Sequence, residues 1–154
     1  MIAVVQRVRR AAVTIDDPPY EARIEEGLCV LLGVEEGDEE SDAEWMAGKL
    51  ARLRIFRDDA DLMNRSVVDV GGAVLLVSQF TLAGDCRKGN RPSFVHAAGP
   101  VIGKALYESV AERLRDAGLP VATGMFGAMM TVTIENDGPV TLIVRTPPKP
   151  GREH

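Results

Sequence analysis

A chain of 154 residues that is 45% hydrophobic is long enough for a single domain that buries about two thirds of its unfolded surface, with no disulfide or metal staple required. No apolar run approaches the roughly 20 residues of a membrane span, and a net charge of −5 argues against a protein that coats nucleic acid, though not against local contact with one end of an RNA. Cys29 and Cys86 share no CxxC or Cys/His ligand spacing, and Met1 to Arg7 lacks a signal-peptide layout, so the expectation is a cytoplasmic protein with reduced thiols and neither metal nor cofactor.

Ile2 to Ile15 reads as a strand, with Arg7, Arg9 and Arg10 interrupting a β-branched alternation, and Asp16-Asp17-Pro18-Pro19 stops it in a hairpin. The apolar run from Gly27 to Val34 suits a strand buried on both faces, which makes Cys29 inert core. The carboxylates from Glu35 to Glu44 precede a helical pattern in Trp45, Met46, Lys49, Leu50 and Leu53. Negative charge there complements a helix N-terminus, whereas a calcium loop would need a regular Asp/Asn spacing that is missing. Arg57 to Ser66 is loop-like, and Val67 to Gly72 leads into a second buried strand, Ala73 to Val77. A second helix starts at Pro100, carries Ile102, Leu106, Val110 and Leu114 on one stripe, and ends before Gly118. Val121 to Thr123 is a short strand.

Met130-Thr131-Val132-Thr133-Ile134 alternates as a strand, with Met130, Val132 and Ile134 on one face, and Val140 to Val144 is again β-branched. Between them, Glu135-Asn136-Asp137-Gly138-Pro139 has turn chemistry, and a closing hairpin is the routine reading. Pro139 complicates that reading, because it offers no N–H to a ladder and its amide tolerates both cis and trans forms. On these residues alone an ordinary trans turn and a specialised cis loop both stand. Residues 1–145 therefore make one mixed α/β domain with two main helices and a largely antiparallel, strand-rich body in two β-layers. Thr146 to His154, rich in proline, is expected to be a flexible tail.

Chemistry concentrates where the second buried strand ends, at Ser78-Gln79-Phe80-Thr81-Leu82, because α/β folds place sites at the C-terminal ends of core strands. The following loop gathers Arg87, Lys88 and Arg91 around Gly89, a positive patch suited to a phosphate. The bland alternative is a strand end whose side chains cap backbone groups, followed by a solvated loop.

Three stretches together resemble the D-aminoacyl-tRNA deacylase family: Ser78-Gln79-Phe80-Thr81-Leu82, then Lys88-Gly89-x-Arg91-Pro92-Ser93-Phe94, then Asn136-Asp137-Gly138-Pro139-Val140-Thr141. Met1-Ile2-Ala3-x-x-Gln6-Arg7-Val8, Leu31 to Val34, Arg54-Ile55-Phe56 and Ala105-Leu106-Tyr107 are similar to it as well, so the likeness runs to about Val144. Two departures stand out: Cys86 replaces the usual threonine or serine, and Asp17 to Arg23 lacks the usual glycine-containing hairpin.

The resemblance implies a carboxylic ester hydrolase that frees a D-amino acid, or glycine, from the terminal ribose of tRNA. It implies a two-fold homodimer in which a cis Gly138–Pro139 pair enters the partner's pocket and excludes L-aminoacyl groups. Ser78, Gln79, Phe80 and Thr81 would line that pocket, with Met130 as part of its wall and Arg7 fixing the Gly-Pro loop. Thr81 has a nucleophile's chemistry but no base beside it in sequence, so the expected role is positioning, with the ribose 2′-hydroxyl assisting and the amides near Phe80 and Thr81 stabilising an oxyanion. Two rivals remain. A cysteine hydrolase would combine Cys86, His96 and Asp85, and a non-catalytic tRNA- or RNA-binding module would need stacking aromatics on a basic strand face, in a chain only 5% aromatic.

Overall fold

The structure, a computed structural model, describes residues 1–149. Its elements in chain order are β1 (Ile2–Ile15), β2 (Tyr20–Ile24), β3 (Gly27–Gly33), α1 (Glu40–Arg52), β4 (Phe56–Arg57), β5 (Met63–Arg65), β6 (Ala73–Ser78), a 3-10 turn (Phe80–Ala83), α2 (Pro100–Asp116), β7 (Val121–Thr123) and β8 (Thr131–Arg145). Together they form one α/β domain with two helices and a strand-rich sheet.

β1 is the axis of the sheet. One of its edges pairs with β3 along Ile2 to Val8 and with β2 along Ala11 to Ile15, while β8 runs antiparallel along the whole of the other edge. From β3 the sheet continues in parallel through β6 to β7. Since β3 and β6 are interior strands, their side chains alternate between two apolar environments, which is why both read as unbroken apolar runs. Leu28, Val30, Leu32, Val74 and Leu76 face the helices, meeting Met46 and Leu50 of α1 and Leu106, Val110 and Leu114 of α2. Cys29, Leu75 and Val77 face the other way, against Val8, Ala11, Val13 and Ile24. The upper half of β1 with β2 thus packs over the face that the helices leave bare.

Both helices form for the reasons visible in their sequences. The amide of Glu39 donates to the Asp42 carboxylate at 2.8 Å, so one acid of the cluster serves the start of α1. Pro100 opens α2, where a missing N–H costs nothing, and Gly118 at φ +86° follows its end.

Three expectations need correction. Glu135 to Pro139 does not close a hairpin: the flanking runs pair with β1 rather than with each other, so β8 is a single strand of 15 residues with an irregular stretch inside it. Arg57 to Ser66 is not simply loop, because β4 and β5 pair there as a short hairpin. Thr146, the first residue of the expected tail, is buried, and its hydroxyl accepts from the Met1 ammonium at 3.0 Å. Lys149 pairs with Asp42 at 2.6 Å and with Glu39 at 3.0 Å. The remainder of that tail, residues 150–154, lies outside the described residues.

Candidate active site

The strand end is positioned by backbone. Gln79 donates its N–H to the Leu32 carbonyl at 2.8 Å, extending the parallel ladder one residue beyond β6, and the chain then tightens into the 3-10 turn. That turn is closed by the amides of Leu82 and Gly84, which donate to the carbonyls of Gln79 and Thr81 at 3.2 and 3.0 Å. Gly33 permits the fit, since a Cβ there would lie 2.9 Å from the Gln79 oxygen and 3.1 Å from Leu82 Cβ. Between these bonds, the N–H groups of Phe80 and Thr81 have no protein acceptor among the described residues.

Thr81 is exposed beside them, and its hydroxyl accepts from the Gln79 carboxamide. No histidine or carboxylate is bonded to that hydroxyl among the described residues, so no base is placed to activate it. Phe80 is 55% exposed and meets the Phe94 ring edge-on, with centroids 5.3 Å apart at 72°. The result is an exposed aromatic surface beside two unpaired amides, a hydroxyl and a carboxamide.

The loop that follows is pinned to itself. Asp85 and Ser93 exchange backbone bonds at 2.8 and 2.9 Å, and Arg87 forks onto the Asp85 carboxylate at 2.9 and 2.7 Å. Hydrogen bonds from the Arg87 side chain and backbone hold the Asp85 carboxyl well below the usual carboxylate range. Asp85 is therefore committed to Arg87 rather than to His96, and the cysteine-hydrolase arrangement lacks its orienting acid. Cys29 is buried and its thiol is pushed up to about 12 by desolvation, as inert core requires.

An open cleft of about 1280 Å³ adjoins this loop, lined by Leu82 to Arg87, by Glu35 to Asp38 and by Arg145 to Pro147. Its guanidinium and ammonium groups are paired, Arg87 with Asp85, Arg145 with Glu35 at 3.6 Å and Lys149 with Asp42. Of the expected phosphate patch, only Lys88 and Arg91 lack an ion-pair partner among the described residues.

A second group of expected residues lies around the irregular stretch of β8. Between Ala11↔Ile134 and Gln6↔Thr141 the register shifts twice, on either side of the Val8↔Asn136 pair, so seven steps of β8 run opposite five of β1 and the chain must bow outward. Gly138 and Pro139 are exposed at the crest, joined by a cis peptide bond, and Gly138 has φ +124°. Arg7, only 3% exposed, reaches under the bow: its Nε donates to the Asp137 carbonyl at 3.3 Å and pairs with the Asp137 carboxylate at 3.3 Å, while Nη1 donates to the Ile55 carbonyl at 2.7 Å. Asn136 closes the bow from within, accepting from the Val140 N–H at 3.2 Å and donating to Thr141 Oγ1 at 2.9 Å.

The expected site residues thus fall into two groups. Ser78, Gln79, Phe80 and Thr81 share the strand end; Arg7, Gly138 and Pro139 share the bow; and no hydrogen bond or ion pair joins the groups among the described residues. Met130 stands apart, half-buried against the cluster that contains Val13, with its sulfur 2.5 Å from where a Cβ on Gly124 would lie. Asn136, Thr141, Gln6 and Ile55 fall in the stretches that carry the resemblance, but sequence reasoning gave none of them a role. The available signal was the asparagine, whose side chain bonds backbone a few residues on.

A chain with a β1-centred sheet, two helices on one face and an exposed polar strand end after its parallel core strand belongs to the α/β proteins that carry a site at that end. A sequence profile described as D-Tyr-tRNA(Tyr) deacylase matches residues 4–145, and the chain belongs to that family. It is 54% identical over 98% of its length to a D-aminoacyl-tRNA deacylase of Thermus aquaticus, of which 99% is covered. A second protein of that name, from Paracoccus denitrificans, is 58% identical over 92% of this chain and 95% of its own. Among solved structures, a c-Myc DNA Unwinding Element Binding Protein superposes with a TM-score of 0.88 at 41% identity, covering 96% of this chain and 100% of that one. A probable eukaryotic D-amino acid tRNA deacylase superposes at 0.78 over 93% of this chain; at 19% identity it shows the fold alone.

Proposed function

We propose that this protein is a hydrolase of D-aminoacyl-tRNA, acting in the cytoplasm and accepting glycyl-tRNA as well. The observation that carries the reading is that the amides of exposed Phe80 and Thr81 have no protein acceptor among the described residues, beside a hydroxyl to which no base is bonded there, in a chain of the D-Tyr-tRNA(Tyr) deacylase family. Such a site suits stabilisation of an oxyanion better than nucleophilic attack by the protein. Water adds to the ester carbonyl, negative charge forms on its oxygen against those amides, the acyl–ribose bond breaks, and the ribose oxygen takes a proton. Thr81 positions the water or the substrate, and the neighbouring 2′-hydroxyl assists. Ser78, Gln79 and Phe80 line the pocket with it.

Chirality is read by the bow. Gly138 has no Cβ and Pro139 has no N–H, so the crest presents carbonyl oxygens and little else to a ligand. Carbonyls hold an α-ammonium group, and a backbone wall leaves no room for an L side chain; D-residues and glycine pass. Arg7 fixes the bow from below, and Met130 helps wall the pocket.

No hydrogen bond or ion pair joins the bow to the strand end among the described residues, and we infer that the site is completed in a two-fold homodimer, each subunit of two β-layers lending its crest to the other. An isologous contact is the arrangement that completes both sites at once. Its support is the long free edge of β8, with Leu142 36% and Ile143 69% exposed, because a long apolar edge strand calls for cover. Residues 1–145 form the domain that does this.

The name borne by the 41% identical structure favours a second reading, a nucleic-acid-binding protein without hydrolysis. Against it stand the net charge of −5 and the paired cations of the cleft. Purified protein incubated with D- and with L-tyrosyl-tRNA separates the two: the deacylase reading expects free tyrosine from the D-ester only, at a rate far above the uncatalysed background. Binding of either RNA with no release of tyrosine would replace it with the second reading.

A further inference from the structure

We propose that Asn136 and Thr141 are positioning residues that form a latch across the base of the Gly138-Pro139 bow, and that this latch sets both the rate and the D-over-L discrimination of the reaction. The proposal rests on the deacylase reading above and deepens it.

The geometry points to a latch because the bow cannot hold itself by backbone pairing. Two extra residues on β8 leave the chain from Asn136 to Val140 with little of the β1 ladder, and Pro139 has no N–H to contribute. The Val140 N–H would be left without a partner at the foot of the bow, yet the Asn136 carboxamide oxygen takes it at 3.2 Å. The other end of the same carboxamide donates to Thr141 Oγ1 at 2.9 Å, and Gln6 Nε2 donates to that hydroxyl at 3.2 Å from the adjacent strand. Both lone pairs of the Thr141 oxygen are thereby filled. One planar amide thus ties the two feet of the bow together and, through Thr141 and Gln6, ties them to β1.

Arg7 restrains one flank, through Asp137, and on the other the half-buried Val140 side chain packs against the core, so the latch is the polar tie that fixes the backbone of Pro139 and Val140 in position. A displacement of about 1 Å in a substrate-positioning group costs on the order of 10²-fold in rate. A wall that excludes by shape loses selectivity as it loses position. The residue types suit a latch of this kind, since valine at 141 would have the shape of threonine without the acceptor, and serine would keep the acceptor.

The test uses the full-length protein and the variants Asn136→Ala, Thr141→Val, Thr141→Ser and the double variant Asn136→Ala/Thr141→Val. Three quantities are measured: kcat and KM on D-tyrosyl-tRNA, the rate on L-tyrosyl-tRNA, and hydrogen exchange of the segment 136–141. Asn136→Ala and Thr141→Val are expected to lower kcat about 10- to 100-fold, to raise the ratio of L- to D-hydrolysis, and to speed exchange at Val140 while leaving the core strands protected. Thr141→Ser is expected within about threefold of the parent, and the double variant no worse than the poorer single one, because both changes open one latch. Unchanged kcat and discrimination in Thr141→Val would overturn the proposal, as would a loss in Thr141→Ser equal to that in Thr141→Val. If a variant is too unstable to assay, exchange in Thr141→Ser and Thr141→Val still decides whether the hydroxyl holds Val140. A parent protein that hydrolyses neither ester would instead overturn the deacylase reading, and the positioning role with it.

Discussion

Ser78–Thr81 and Glu135–Val140 both reach the surface, with Phe80, Thr81, Gly138 and Pro139 exposed, but they are held by opposite means. The strand end hangs from the interior: Val77 is 1% exposed, Gln79 is bonded to the Leu32 carbonyl, and the turn after it packs on Gly33. The bow hangs from side chains, those of Arg7 below and Asn136 across, because its backbone has left the ladder. A group fixed by core backbone is insensitive to most polar substitutions and fails only when the fold fails. A group fixed by a few polar contacts can be moved while the fold survives, so the selective part of the proposed site should be separable from the catalytic part by mutation.

The largest effect is expected where the first kind of support is struck. A Cβ on Gly27 would sit 1.8 Å from the Ala73 carbonyl oxygen, between β3 and β6, where neither backbone can yield. Gly27→Ala should cost about 3 kcal/mol or more, read as a fall in Tm of roughly 10 °C, with activity lost along with the fold.

Gly138→Ala strikes the second kind. Its φ of +124° is one that L side chains rarely adopt, and a Cβ would meet Arg7 Nη2 at 2.9 Å and Val140 Cγ2 at 3.0 Å. D-tyrosyl-tRNA hydrolysis should fall at least about 100-fold while Tm drops far less than in Gly27→Ala. Equal losses of stability in the two variants would erase the contrast between the regions.

Legibility followed the same division. β1, β3, β6, α2 and its Pro100 start could be read because each rests on local periodicity or a terminal signal. The acidic run before α1 was legible for the same reason, with Asp42 serving the helix start. Glu135–Pro139 was misread as a hairpin because Asn-Asp-Gly-Pro has the composition of a turn, and only the pairing of both flanks with β1 turns it into a bow. That pairing joins residues at least 117 positions apart, as in Thr14↔Thr131, which no local window contains. Thr146 was placed in a loose tail because its neighbours are prolines; its bond to the Met1 ammonium is equally non-local. The site residues were reached through resemblance, and physics added what the resemblance did not carry, the bonds of Asn136 and Thr141.

Thr81→Ala sharpens the comparison from the catalytic side. With no base bonded to the hydroxyl, the loss should be about 10- to 100-fold, or roughly 1–3 kcal/mol, with no change in D-over-L preference. An acyl-Thr81 intermediate trapped in the parent enzyme would contradict the positioning role. The smallest effect belongs to Cys86→Ser. The exposed thiol has no acid oriented for it, since Asp85 is held by Arg87, so activity should stay within about twofold. A loss of several orders of magnitude there would revive a cysteine mechanism.

The central claim is that these two regions work together only across a subunit boundary, and the most direct measurement is a mixing assay. Thr81→Ala and Gly138→Ala proteins, each impaired alone on D-tyrosyl-tRNA, are unfolded together, refolded and assayed. A heterodimer contains one site in which a wild-type strand end faces a wild-type bow, so the mixture should recover up to about one quarter of the parent activity as half the molecules become mixed dimers with one good site each. Activity no higher than the mean of the two separate proteins, or a parent protein fully active as a monomer in sedimentation at assay concentration, would contradict the account.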